Sequence, residues 1–198
     1  KLSTRDQAIR SAQALVDDGR FVSELAELVA RPTESQDPAR ANEMQRYLSD
    51  LLMPRLVAAG FDSEIHPNRY GNPFLVARRI EDPHLPTILG YGHWDVTRGQ
   101  EGAWHADGAP FVLRQDQDRL YGRGTADNKA QHLINIQAQE CVIAARGKLG
   151  FNAAWLIEMG EETGSPGLEA FCQENQDLLG AQVLIASALT PLAQAQTF

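Results

Sequence analysis

Three continuous apolar segments alternate with long helical patterns, and this alternation limits the fold more than any other feature of the chain. The segments cover residues 86–96, 151–159 and 181–187, and each begins at or directly after a glycine or proline. Strands without a polar face are typical of parallel sheets that helices cover on both sides. The sequence therefore predicts the α/β class, as a three-layer sandwich with a mostly parallel central sheet flanked by helices.

Helices precede this region and short strands surround it. Apolar residues at helical spacing predict a helix over residues 3–30, which Gly19 interrupts, and a second over residues 39–59, which ends at Gly60. The remaining patterns predict short strands over 61–67 and 72–80, a hairpin over 111–122, and helices over 128–146 and 168–179. We expect one domain over residues 1–198, because a domain typically takes about 100–200 residues.

Charge and composition exclude several classes of protein. The 198 residues carry a net charge of −8, which argues against a nucleic acid or an anionic membrane as the main partner. Each apolar segment falls far short of the roughly 20 residues that a membrane helix needs. Residues 1–21 contain no export signal, and the two cysteines stand outside any Cys/His cluster, so we expect a cytoplasmic protein.

Histidine and carboxylate side chains follow two of the apolar segments. His93 and Asp95 close the first, and Glu161 and Glu162 follow the second. Ligand sites of such sheets lie outside the carboxyl ends of the strands. There His93 could bind zinc while Asp95 orients its ring, and one of two adjacent carboxylates could bind a metal while the other takes a proton. A hydrogen-bonded structural histidine and a solvated surface pair of glutamates are the alternatives.

A glycine-rich turn places Asp127 directly before a helical pattern. The turn fails as a nucleotide-binding motif, because Asp127 stands where the dinucleotide fingerprint needs a third glycine and because Lys129 lacks the flanking residues of a P-loop. Asp127 then either caps the helix or supplies a carboxylate to the same edge of the sheet. In the second case, His93, Asp127 and one of the two glutamates would form a site for zinc or a similar divalent ion.

Taken in order, the motifs GHWDV, LYGRGTADNK and GEETGSPG closely resemble the signature of the co-catalytic dinuclear zinc metallopeptidases and amidohydrolases. Members of this family include glutamate carboxypeptidase, acetylornithine deacetylase, succinyl-diaminopimelate desuccinylase, aminoacylase and the carnosine-type dipeptidases. The resemblance implies that His93 binds one metal ion, that Asp127 bridges two ions and that Glu162 binds the other. It also implies that Glu161 is the general base and that Asp95 orients His93.

The resemblance also implies an activity and its requirements. A metal-bridging water would attack the amide carbonyl of a small peptide or an N-acyl amino acid, and Glu161 would pass the proton to the leaving amine. Two divalent metal ions would serve as cofactors, with zinc expected and cobalt or manganese as alternatives. The full-length form would be a homodimer, and neither a nucleic acid nor a membrane is expected as a partner.

The resemblance breaks near the end of the sequence. Ala188 stands where family members usually have an aspartate that completes the ligands of the first zinc ion, and no later histidine completes the second. We therefore expect a partial catalytic domain without the lid or dimerisation domain and the C-terminal catalytic segment. The alternative is a non-catalytic remnant that binds metal weakly or serves as an interaction module. Surface or packing roles are expected for the other histidines, His66, His84, His105 and His132.

Overall fold

The two longest apolar strands lie side by side in the middle of the sheet. The structure, a computed structural model, describes residues 3–104 and 108–187. Strand β3 (Thr87–His93) runs parallel to strand β6 (Asn152–Glu158), and every residue of β6 is buried. Their pairing sets His93 opposite Glu158, so the two strands end at the same level. The residues that follow both strands therefore emerge at one edge of the sheet.

In the described part of the chain, the main sheet has the strand order β1-β2-β6-β3-β7. Its other members are β1 (Asp62–His66), β2 (Phe74–Arg79) and β7 (Val183–Ala186). Strand β2 is antiparallel to β1 and β6, while β3 is parallel to both β6 and β7. All strands except β2 point the same way, which confirms the mostly parallel sheet. The predicted hairpin, β4 (Arg114–Asp116) and β5 (Arg119–Tyr121), forms a separate pair.

Helices cover both faces of the sheet and complete the predicted sandwich. They are α1 (Thr4–Asp17), α2 (Arg20–Val29), α3 (Ala41–Arg46), α4 (Met53–Ala58), α5 (Lys129–Arg146), α6 (Leu168–Glu174) and α7 (Gln176–Leu179). On one face, residues such as Leu25, Leu48 and Leu133 pack with Trp155 in the larger core. On the other face, Phe171 packs against Phe74 and Leu156. Burial of these side chains is the main force that holds the layers together.

Interruptions of the helices follow the sequence, with one exception. Gly19 takes the left-handed conformation (φ 79°) between α1 and α2, which confirms the predicted interruption of the helix. The second predicted helix forms as α3 and α4 joined by a π-helical segment, Tyr47–Leu52. The single helix predicted over residues 168–179 is wrong, because the chain leaves the helical conformation at Asn175 between α6 and α7. Within the described ranges, no helix is both long and apolar enough to cross a membrane.

Two glycines of β3 allow neighbouring side chains to approach the strand closely. A Cβ atom at Gly90 would lie 2.6 Å from the Trp155 ring, and one at Gly92 would lie 1.8 Å from the imidazole of His132. Because His132 belongs to α5, Gly92 lets this helix rest directly on β3. The beginning of α5 is thereby brought to the edge where β3 ends.

Strand β7 leaves apolar side chains in contact with solvent. It pairs with β3 on one side, and on its other side the described residues place no further strand. Val183, Leu184 and Ile185 are all exposed, Leu184 with 63% of its surface. An apolar strand at the edge of a sheet offers unpaired backbone groups and hydrophobic surface to another chain. We therefore expect this edge to be prone to association.

We expect the 198-residue chain to self-associate through β7 and the variant Leu184→Lys to be largely monomeric, because a charge on the edge strand opposes pairing. Sedimentation velocity over a range of concentrations measures the effect. Val16→Lys, which replaces an apolar residue of similar exposure on α1, is the matched control and should associate like the wild type. A monomeric wild-type chain at every concentration would contradict the prediction.

Candidate metal centre

His93 stands at the carboxyl end of β3 with its ring almost entirely buried. Its Nδ1 atom lies 3.2 Å from the carbonyl oxygen of Asp95 and 3.4 Å from Oδ1 of the same residue. Its Nε2 atom faces the carboxylates of Asp127, at 3.1 Å, and Glu161, at 3.9 Å. The ring is therefore oriented by one nitrogen and presents the other to a group of acidic side chains, as a metal-binding histidine does.

Asp95 connects the two loops that follow β3 and β6. Its carboxylate is fully buried, and it accepts hydrogen bonds from the backbone amides of Glu161 (3.2 Å, to Oδ1) and Glu162 (3.1 Å, to Oδ2). The same carboxylate faces Nδ1 of His93. The sequence predicts that Asp95 orients His93, and the structure adds a second task, since Asp95 also fixes the backbone of the glutamate pair.

Glu161 and Glu162 lie in a 3₁₀ turn, Glu161–Thr163, directly after β6. One potential ligand atom from each of His93, Glu161 and Glu162 can be chosen so that all three lie within 4.8 Å of one another. The interpretation of the two glutamates as an ordinary solvated pair does not account for this convergence. One imidazole nitrogen with several carboxylate oxygens is a donor set that suits zinc and other first-row divalent ions.

Asp127 reaches the same site from the turn before α5. Its Oδ1 atom contacts Nε2 of His93, while 70% of its side chain remains exposed. The alternative role of Asp127 as a helix cap is not supported, because Asn128 occupies the capping position of α5 and its side chain makes no capping hydrogen bond. The peptide bond between Asp127 and Asn128 is cis. Asn128 instead donates a hydrogen bond from Nδ2 to the carbonyl oxygen of Ser187, at 2.9 Å.

The electrostatics of the site favour a positive charge. Burial lowers the pKa of His93, but the hydrogen bond and charge of Asp95 and the charges of Glu161 and Asp127 outweigh it and raise the pKa to about 9. Burial and the neighbouring charge of Asp127 raise the pKa of Glu162. Crowding of carboxylates around a single imidazole thus raises the pKa of His93, while burial is the main cause of the raised pKa of Glu162. A divalent cation would neutralise this group of carboxylates and take the place of the proton on His93.

Sequence reasoning did not identify Glu158, Tyr91 and Ser165 as parts of this region. Glu158 is the last residue of β6, and its Oε1 atom accepts hydrogen bonds from the hydroxyl groups of Tyr91 and of Ser165, the latter at 3.0 Å. Burial is the main cause that raises the pKa of Glu158. A glutamate at the end of a largely apolar strand is the sequence signal that points to this network.

Within the described part of the chain, the other histidines take no part in the site. His66 is the last residue of β1, and its ring packs against Phe171 with 5.3 Å between centroids. His84 is exposed, and His105 lies outside the described residues. His132 is buried in α5 beside Trp94, and neither ring nitrogen has a hydrogen-bond partner within the described structure. Burial lowers the pKa of His132 to about 3, so its ring is neutral in the folded chain.

Comparison of the sequence with known proteins shows the family of the chain. The sequence profile described as peptidase family M20/M25/M40 matches residues 89–191, a range that contains every residue of the candidate centre. The chain belongs to this family. Its sequence is similar to Beta-Ala-His dipeptidase from Mus musculus, with 32% identity over 171 residues, which cover 79% of the chain and 34% of that protein. It is also similar to succinyl-diaminopimelate desuccinylase from Paraburkholderia xenovorans, with 33% identity over 138 residues, covering 69% of the chain and 34% of that protein.

The fold of this M20 chain agrees with that of solved relatives. The crystal structure of human carnosine dipeptidase 1 matches it with a TM-score of 0.86 and 27% identity, over 96% of this chain and 42% of that one. The resemblance drawn from the motifs is confirmed, and the family to which the chain belongs is one of peptidases. It spans about a third of the length of the two relatives matched by sequence.

We expect Asp95→Asn to destabilise the chain by about 1–3 kcal/mol, because an amide offers one acceptor oxygen where the carboxylate serves two backbone amides. The affinity for a divalent metal should fall by about 10- to 100-fold, as the glutamate turn and the His93 ring lose their common support. Urea unfolding and calorimetric titration with Zn²⁺ measure the two effects. Asp62→Asn, on the exposed face of β1, is the control; equal losses in both variants would contradict this role of Asp95.

His132 should make the chain sensitive to acid. Its pKa is about 3 when folded against 6.5 for an unperturbed histidine, so below about pH 6.5 the unfolded chain binds a proton that the folded chain does not. Stability is therefore lost as the pH falls, by about 2 kcal/mol between about pH 7.5 and about pH 5. In His132→Leu, the decrease in unfolding free energy between these two pH values, measured by urea unfolding, should be smaller by this amount. Identical pH profiles for wild type and variant would show that the prediction is wrong.

Proposed function

We propose that this chain supplies the metal-binding part of a hydrolase that cleaves amide bonds in small peptides or N-acyl amino acids. The observation that carries the proposal is the convergence of His93, Glu161 and Glu162 at the carboxyl edge of β3 and β6, with ligand atoms within 4.8 Å of one another. The family match and the names of the relatives, a dipeptidase and a desuccinylase, support a substrate with an amide bond.

The donor set fits divalent metal ions. The described side chains offer one imidazole nitrogen whose ring is already oriented. The carboxylates around this ring carry more negative charge than the single imidazole could balance. In the proposed arrangement His93 and Glu162 would each hold one ion, and Asp127 would help to hold both. We propose zinc as the metal, with cobalt or manganese as alternatives, since N and O ligands of this type accept all three.

The side chains divide the chemical work. Bound at this site, divalent ions would polarise the amide carbonyl and make a water molecule more acidic. Glu161, whose carboxylate is 44% exposed, can reach such a water, accept its proton and deliver it to the leaving amine. Asp95 remains buried and keeps the His93 ring and the backbone of Glu161 in place. Neighbouring residues 161 and 162 thereby take different roles, one as a base and one as a ligand.

We further propose that residues 1–198 form part of a catalytic domain and that more polypeptide completes it. Solvent-exposed β7 supports this, because its side chains Val183, Leu184 and Ile185 would be buried if the sheet continued beyond it. The length of the relatives, about three times that of this chain, supports it as well. A lid or dimerisation domain and the remaining metal ligands would come from that polypeptide, and the whole protein would be a homodimer.

The decisive variant is Glu161→Gln. We expect it to bind Zn²⁺ with an affinity within about threefold of the wild type, because the amide keeps the shape of the side chain, and to lose turnover by about 10²-fold or more. Calorimetry with Zn²⁺ measures binding. Turnover is measured in the whole protein that contains residues 1–198, by hydrolysis of β-alanyl-histidine and of N-succinyl-diaminopimelate.

Two further results would decide against parts of the proposal. His93→Ala is the control that should abolish Zn²⁺ binding, and unchanged binding in this variant would place the metal elsewhere. A whole protein that binds Zn²⁺ through His93 and hydrolyses neither substrate would contradict a hydrolase and favour the non-catalytic remnant.

A further inference from the structure

Lys129, the first residue of α5, is completely buried (0% exposed), which is unusual for a lysine. Its ammonium group donates hydrogen bonds to the backbone carbonyl oxygens of Leu28 and Arg31, both at 2.8 Å. The ring of Tyr47 lies 4.8 Å from Nζ and provides a cation–π contact. Two directed hydrogen bonds and an aromatic face therefore define one position for the Nζ atom.

The carbonyl groups that Lys129 binds belong to a segment that also holds the end of β3. Leu28 lies in the last turn of α2, and Arg31 lies two residues before Thr33. Thr33 donates a hydrogen bond from Oγ1 to the carbonyl oxygen of Trp94, at 2.7 Å, and accepts one from the amide of Val96, at 2.8 Å. These two partners flank Asp95, so the segment anchored by Lys129 supports the strand end that carries His93 and Asp95.

The backbone and the side-chain stem of Lys129 support the turn that carries Asp127. Its amide donates a hydrogen bond to the carbonyl oxygen of Gly124, at 2.8 Å. Gly124 has a positive φ of 91°, and a Cβ atom there would lie 2.9 Å from Cδ of Lys129. The aliphatic stem of the lysine thus passes directly beneath the turn. Asp127 stands two residues before Lys129, within the segment that this contact encloses.

We propose that Lys129 is a positioning residue, which sets the place of Asp127 relative to His93 by anchoring the 122–128 turn to the segment that supports Asp95. The proposal rests on the proposed function for the role of Asp127 as a metal ligand. A methionine of similar length would fill the same space without a charge, but it could not bind the two carbonyl groups. The aliphatic part of Lys129 fills space in the core. The two hydrogen bonds from Nζ in addition hold the beginning of α5 in one orientation.

The test compares Lys129→Met with Arg55→Met. Arg55 is the matched control, because it also joins α2 to α5, through ion pairs with Glu24 (2.9 Å) and Glu140 (2.7 Å), and contacts no residue of the turn in the described contacts. Far-ultraviolet circular dichroism and urea unfolding establish that each variant folds and how much stability it loses. Lys129→Gln, which keeps two N–H donors on a shorter side chain, serves as the second variant if Lys129→Met does not fold.

The first readout needs no metal. Hydrogen exchange followed by mass spectrometry of the metal-free chain should show faster exchange in peptides covering residues 122–128 and 32–37 for the Lys129 variant, and no comparable change there for Arg55→Met. A Lys129 variant that exchanges like the wild type, or no faster than Arg55→Met in these peptides, would overturn the proposal whether or not the chain binds metal.

The second readout is Co²⁺, followed by its visible absorption. We expect Lys129→Met to bind Co²⁺ about 10- to 100-fold more weakly with an altered spectrum, whereas Arg55→Met keeps the spectrum of the wild type. Unchanged Co²⁺ affinity and spectrum in Lys129→Met would overturn the positioning role while leaving the proposed function intact. A wild-type chain that does not bind Co²⁺ would count against the proposed function, and the exchange experiment would still decide the role of Lys129.

Discussion

The carboxylate of Asp95 accepts one backbone amide on each oxygen, from Glu161 and Glu162, and also faces the imidazole of His93. The two amides belong to the loop after β6 and the imidazole to the end of β3, so this one buried carboxylate joins two segments that are far apart in the sequence. Its burial makes each contact more costly to lose, because water cannot replace a missing partner. The arrangement of the candidate centre therefore depends on this carboxylate more directly than on any of the groups that would touch a metal.

The sheet makes this contact feasible. Parallel pairing of β3 and β6 sets His93 level with Glu158, and the amide of Trp94 continues the pairing by donating to the carbonyl oxygen of Glu158, at 3.1 Å. The loops after both strands thus start from the same height. Gly92 allows α5 to lie close to β3, and Lys129 fixes the beginning of that helix. Three segments that are far apart in sequence consequently deliver acidic side chains to one imidazole.

Most of the strands and helices could be predicted from the sequence, and the features that could not be predicted have identifiable physical reasons. The apolar segments predict β3, β6 and β7, and the glycine at position 19 predicts the break between α1 and α2. The break at Asn175 was missed, because the apolar pattern continues through a residue whose backbone leaves the helix. Periodicity reports which face of a segment is buried and carries little information on a local change of backbone direction.

The sequence by itself determined the class of fold, the edge of the sheet at which the site forms and the residue types that gather there. These follow from local patterns and from the general geometry of parallel sheets. Only the tertiary structure decided that Asp127 contacts His93 rather than capping α5, that Asp95 holds the glutamate turn, and that Lys129 is buried. Each of these depends on distances between segments separated by at least 30 positions along the chain. Packing of the layers sets such distances, and no local pattern in the sequence encodes them.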